Sequence, residues 1–112
     1  MATRSNIAVQ FPNGEIRMIY VHFDGYPSHN GKILIGHYNN QKAAEELVSA
    51  GNMSSIAKTL EQCKPYNEKY ETVHCDPRFL RCREEYLYVW RGSKWYVKYC
   101  TNTTFAELTN VI

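Results

Sequence analysis

Titratable and hydrogen-bonding side chains crowd one stretch of this chain. From Tyr20 to Tyr38 it reads YVHFDGYPSHNGKILIGHY, a strand-like pattern running into a turn with His22, Asp24, Tyr26 and His29, and His37 beyond. Gly25 and Pro27 alone suffice for a turn; the remaining groups add donor, acceptor and proton-transfer capacity that a turn does not require. Two readings stay open. In the first, Asp24 orients His22 at the floor of a polar pocket, with Thr3 and Ser5 as hydroxyl partners and Arg4 as a forked clamp for phosphate or carboxylate. Tyr26 and Tyr38 offer rings for stacking, and His37 faces the same site. In the second, Asp24 closes an Asx-type turn, the histidines satisfy backbone groups, and Arg4 pairs with a nearby carboxylate.

The first reading gives a ligand site of Thr3, Arg4, Ser5, His22, Asp24, Tyr26 and His37, suited to a phosphate-bearing, nucleotide-like small molecule better than to an apolar one. The same residues allow a small hydrolase, in which His22 is the general base, Asp24 its orienting partner and Thr3 or Ser5 the nucleophile. One version exposes Thr3 as an N-terminal nucleophile after loss of Met1 and Ala2. A third class is an inhibitor that binds a host protein through the second hairpin described below.

These side chains need elements to hold them. Asn6 to Phe11 alternates, Asn13-Gly14 follows, and Ile16 to Phe23 alternates again, which predicts a hairpin with a two-residue turn. Counting from that turn pairs Phe11 with Ile16, Val9 with Met18, Ile7 with Tyr20, Ser5 with His22 and Thr3 with Asp24, gathering the polar groups at one strand end. Ser28 is the expected N-cap of a short helix to about Tyr38, weakened by Gly31 and Gly36. Asn40 caps a second, with Ala43, Ala44, Leu47 and Val48 inward and Gly51 beyond its end. Ser54 caps an expected third, stopped by Pro65. Lys64 to Arg83 lacks periodicity and reads as a loop-rich insertion.

Glu85 to Arg91 and Lys94 to Cys100 form a second predicted hairpin around Gly92-Ser93, with a type II′ turn. Its register sets Trp90 against Trp95, Tyr88 against Val97 and Tyr86 against Tyr99 on an aromatic core face. The other face, with Arg91, Lys94, Tyr96 and Lys98, is partly solvated. The tail is expected to end in a helical turn capped by Thr103 or Thr104. The sum is one α+β domain over residues 1–112, an antiparallel sheet from two hairpins packed with two to three short central helices.

Composition sets the bounds. A chain of 112 residues buries roughly two thirds of its unfolded surface, enough for a core without staples. Hydrophobic residues at 44% and charged ones at 21% fit a soluble globular protein, with neither a spanning apolar run nor a secretory h-region. A formal charge of +2 does not imply nucleic acid. Cys63, Cys75, Cys82 and Cys100 contain no C-x-x-C pair, so they read as free thiols in a reducing cytosol, with no metal and no cofactor expected; His74, Cys75 and Cys82 are the one conceivable zinc set.

The N-terminal half resembles a family of small uncharacterised tailed-bacteriophage proteins. Its members begin M-x-T-R-S-x-I and continue I-Y-x-H-W-D-G-Y-P, G-x-x-L-x-x-H-Y and L-x-x-x-G-x-x-S-S. The matching residues are Thr3, Arg4, Ser5 and Ile7; Ile19, Tyr20, His22, Asp24, Gly25, Tyr26 and Pro27; Gly31, Leu34, His37 and Tyr38; and Leu47, Gly51, Ser54 and Ser55. Phe23 replaces the family's tryptophan and Asn52 a common aspartate, while GSKWYV looks like its usual C-terminal finish. Cys63 to Arg83 matches none of its motifs. The resemblance implies a phage origin and a host-cytoplasm location but no mechanism; a role in host takeover or anti-defence is an analogy with other small phage accessory proteins.

Overall fold

The structure, a computed structural model, describes residues 2–101 and 104–112. Two hairpins form its centre. β1 (Ser5–Gln10) and β2 (Ile16–Val21) make the first, and β6 (Tyr86–Arg91) and β7 (Lys94–Tyr99) the second. They join through a parallel β1–β6 pairing, Ser5 beside Tyr86 and Ile7 beside Tyr88. β3 (Asn52–Ser55) meets β2 in parallel at Val21 and Met53. With β4 (Lys64–Glu68), β5 (Glu71–Val73) and β8 (Ala106–Glu107) the sheet is mixed rather than purely antiparallel, in the order β4-β3-β2-β1-β6-β7-β8 with β5 also on β2.

The first hairpin is shifted by one residue from the sequence count. Ser5 pairs with Val21, Ile7 with Ile19 and Ala8 with Met18. The cause is Pro12. A two-residue turn at Asn13-Gly14 needs the residue at position 12 to donate its N–H across the strand pair, and proline has none. The donor moves back to Phe11, whose N–H reaches the Glu15 carbonyl at 2.7 Å, while Gly14 donates to the Phe11 carbonyl at 2.9 Å with φ +89°. That is a type I turn closed by a glycine bulge, with Pro12 in the position whose φ it presets.

β1 is central, so both its faces are buried. Ile7, Val9, Ile19, Val21, Tyr88, Trp90, Trp95 and Val97 pack one face against α1 (Lys32–His37) and α2 (Gln41–Ser49) through Leu34, Tyr38, Ala44, Leu47 and Val48. The second hairpin has the expected register, Trp90 against Trp95 and Tyr86 against Tyr99. Each indole is 1% exposed; burying about 150–250 Å² at about 25 cal/mol per Å² stabilises by several kcal/mol, so this face is core. Its turn is type I′, because Gly92 and Ser93 both have positive φ, +56° and +67°. A smaller core on the other face joins Ala8, Ile16, Met18, Leu87 and Val89 to Leu80.

The helices differ in number and start. Pro27, not Ser28, opens the first helical stretch, with a π-turn over Pro27–Gly31 running into α1. Asn40 caps α2 as expected, accepting from Ala43 N–H at 2.8 Å, and Gly51 follows at φ +89°. Among the described residues no third α-helix follows: Asn52–Ser55 pairs as β3, and the expected insertion contains β4 (Lys64–Glu68) and β5 (Glu71–Val73). Tertiary pairing overrides the weak local preference there. The tail makes β8 (Ala106–Glu107) and a single 3-10 turn at Leu108–Asn110; Thr103, one of the expected caps, lies outside the described residues. Cys82 and Cys100 form a disulfide, their Cα atoms 5.1 Å apart, which corrects the expectation of four free thiols. The end of β7 lies beside the segment entering β6, within bridging range. Among the described residues no helix is long and apolar enough to cross a membrane.

Candidate functional site

The register shift redistributes the expected site. Residues that alternate along β1 and β2 change faces when the count moves by one. Ser5 faces the helices, fully buried, its hydroxyl without a partner among the described residues. His22 instead follows Tyr20, Met18 and Asn6 on the opposite side. Its Nδ1 is 2.6 Å from the Tyr20 hydroxyl, and its ring meets Phe23 edge-on. The Ser5–His22 and Thr3–Asp24 pairs are thus corrected, and a Ser5 nucleophile loses its base, since no described residue lies within hydrogen-bond reach of its hydroxyl. Met1, whose loss the N-terminal-nucleophile version requires, lies outside the described residues.

The DGYP turn has largely architectural contacts. Gly25 donates to the Thr3 carbonyl at 2.9 Å, and a Cβ there would meet that oxygen at 2.8 Å and Ser5 Cβ at 2.9 Å, so only glycine allows this approach. Tyr88 donates to the Gly25 carbonyl at 2.5 Å. Asp24 is left-handed at φ +59°, accepts from the Tyr26 hydroxyl at 3.3 Å and lies 3.9 Å from His29 Nε2. Asn30, fully buried, donates to the Phe23 carbonyl and contacts His29 Nδ1 through Oδ1. Asp24, Tyr26 and His29 therefore form a local exposed group. Arg4 is exposed and its carbonyl accepts from Glu85 N–H; His37 is exposed at the end of α1. Neither joins His22. Tyr38 is core: its hydroxyl donates to the Ala57 carbonyl at 2.7 Å beside Cys63, and burial raises its pKa.

A different polar cleft lies on the face without helices. It holds about 340 Å³ and is lined by Asn6, Met18, Tyr20, Asn52, Lys69, Tyr70, Glu71, Arg83 and Glu84, a size suited to one small molecule. Its existence follows from the way β2 changes partners. β5 pairs with β2 only along Ile16–Met18, and β3 takes over at Val21. In the gap the Tyr20 N–H is satisfied by a side chain, Asn52 Oδ1 at 2.9 Å, whose Nδ2 in turn donates to Glu68 at 3.1 Å.

Asn6 is the key residue of the floor. It is 6% exposed, its Nδ2 donates to the Ile19 carbonyl at 3.2 Å, and its Oδ1 has no partner among the described residues. An unmet buried acceptor costs about 1–3 kcal/mol, and the residue that carries it lines the cleft. Across the mouth, Arg83 forks onto Glu71 with contacts of 2.6 and 2.7 Å. Hydrogen bonding from Arg83 holds the Glu71 carboxyl below its ordinary range, against the smaller opposing effect of burial. Arg83 and Lys69 balance Glu71 and Glu84, so the lining has both signs of charge and no net excess.

His74, Cys75 and Cys82 are not gathered as a zinc set: among the described residues no three His, Cys, Asp or Glu side chains are grouped to hold a metal ion, and Cys82 is bonded to Cys100. Sequence reading missed the cleft since its residues come from five separate segments. The available signal was asparagine, a poor strand former, placed inside the apolar run of β1 and again at the start of β3. No family model, curated protein or solved structure matches this chain.

Proposed function

We propose that this chain is a phage accessory protein that acts by binding in the host cytoplasm, in host takeover or anti-defence, and that its ligand is a nucleotide-like small molecule held in the Asn6 cleft. The phage assignment rests on the N-terminal motifs. The ligand assignment rests chiefly on one observation: the buried, unpartnered Asn6 Oδ1 at the cleft floor. A base N–H or a sugar hydroxyl supplies the missing donor, Glu84 suits sugar hydroxyls, and Lys69 offers a cation for phosphate. Tyr20 provides a ring surface.

The test is a melting-temperature panel of nucleosides, linear nucleotides and cyclic nucleotides. Ligand at a hundredfold its Kd stabilises by about 2.7 kcal/mol, a shift of several degrees in a domain this small. Asn6→Leu should abolish that shift while keeping a cooperative melt. No shift with any member of the panel would remove the small-molecule reading.

A host-protein ligand is the second reading, favoured by Phe79. Its side chain belongs to a residue 75% exposed, on a turn where Asp76 accepts from Arg78 N–H and Pro77 is buried. An exposed aromatic next to arginine is the composition enriched at protein interfaces.

A further inference from the structure

We infer that the Cys82–Cys100 pair is a reversible redox site that sets how tightly Arg83 closes the Asn6 cleft; this rests on the cleft being the binding site. The bridge joins the end of β7 to the residue preceding Arg83. Leu80 is buried, and its carbonyl accepts from Lys98 Nζ at 3.0 Å; Glu85 N–H is held by the Arg4 carbonyl. Between these anchors, Arg81 to Glu84 make no backbone-to-backbone hydrogen bond among the described residues. The covalent tether at Cys82, the packing of that side chain on the Leu80–Leu87–Val89 core and the Arg83–Glu71 fork fix this segment beside the cleft. Both cleft-lining residues of the segment, Arg83 and Glu84, follow Cys82 directly.

Cys100 is exposed and Cys82 half-buried, so the Cys100 sulfur is the accessible point of attack. A thiolate of a dithiol reductant forms a mixed disulfide with Cys100 and expels Cys82 as a thiolate, which takes a proton from water. The second thiol of the reductant then displaces Cys100 and leaves as a disulfide. Two electrons pass from reductant to protein, giving two protein thiols. In the reverse direction, hydrogen peroxide takes the two electrons and two protons and becomes two waters. A reducing cytosol holds the pair open; oxidation tethers Arg83 and narrows the mouth.

The test is first made without ligand, so that it stands apart from the identity of what binds. The Arg83 backbone order parameter is measured by NMR on oxidised protein, on protein reduced with a dithiol, and on Cys82→Ser/Cys100→Ser, together with titration of the Glu71 carboxyl. The expected result is a fall from about 0.85 to below about 0.6 in the reduced and substituted forms, with the Glu71 midpoint rising toward its ordinary value as the fork loosens. An unchanged order parameter and Glu71 midpoint in folded, reduced protein would overturn the inference. So would unfolding of both the reduced and the substituted protein, which would make the bridge a requirement of the fold. In a second arm, the melting shift given by the nucleotide panel is compared in the two redox states. Ordering of Arg83 that depends on the bridge, with no nucleotide shift in either state, supports the redox site and refutes the nucleotide reading alone. A nucleotide shift equal in the two states overturns control of the cleft.

Discussion

The Tyr20 hydroxyl and His22 Nδ1 lie 2.6 Å apart, and this bond ties the imidazole just ahead of the DGYP turn to the floor of the cleft. Alternation along β2 puts the two side chains on one face with Met18. Tyr20 lines the cleft; His22 flanks it as the residue that fixes the phenol.

Tyr20→Phe removes the hydroxyl and keeps the ring. The expected cost is about 0.5–1.5 kcal/mol in urea unfolding, the net value of one hydrogen bond. Nucleotide-induced stabilisation should weaken in the same variant, because the ring then lacks its anchor. An unchanged denaturation midpoint would show that the bond contributes nothing.

Asn6→Leu separates stability from binding. Removing an acceptor that is already unpartnered offsets the lost bond to the Ile19 carbonyl, so the net change should stay within about 1 kcal/mol. Binding should be lost outright. A destabilisation above about 3 kcal/mol, read from the urea midpoint, would identify Asn6 as a structural residue.

Gly51→Ala should be among the most damaging single changes in the chain. The position has φ +89°, and a Cβ there would overlap the Glu68 carbonyl oxygen. Strain of this kind costs about 1–3 kcal/mol for the conformation alone, before the overlap is relieved by moving β4. Ser93→Gly works in the opposite direction: it frees a left-handed serine at φ +67° in an exposed turn and should stabilise by about 0.5–1 kcal/mol, both read from denaturant midpoints.

Acid should loosen the cleft mouth. The folded-state pKa of Glu71 lies below its ordinary 4.5, so its contribution is complete above the unfolded value and is lost as pH falls through the lowered folded value. With the Glu71 side chain 47% exposed, the effect on stability is about a few tenths of a kcal/mol. Glu71→Gln should flatten that part of the acid limb of a stability–pH profile. Asp76, held at about 2 by its hydrogen bonds from Arg78, follows the same sign, and its midpoint in an NMR series should lie well below the ordinary carboxylate range.

Local chemistry made much of this architecture legible and non-local chemistry hid the rest. The Trp90–Trp95 register follows from a two-residue turn with no proline beside it, and the second helix is bounded by Asn40 and Gly51 through well-defined capping preferences. The first hairpin failed the same count because Pro12 changes which residue can donate, a detail carried by one missing N–H. β3, β4 and β5 are short and polar, and they exist because distant strands offer them partners. The cleft belongs to that second category. Asn6 and Arg83 come together only when β1 is flanked by β2 and β6.

That placement of β1 also dictates an order of assembly. The strand can pair with β2 as soon as the first hairpin leaves the ribosome, yet its other edge has to wait for Tyr86–Trp90 to be synthesised. Contacts of such long sequence separation are slow to form because the intervening chain must close a large loop first. During translation the nascent hairpin therefore presents an open edge and the apolar side chains of Ile7 and Val9, and chaperone engagement is expected to concentrate there until the second hairpin docks.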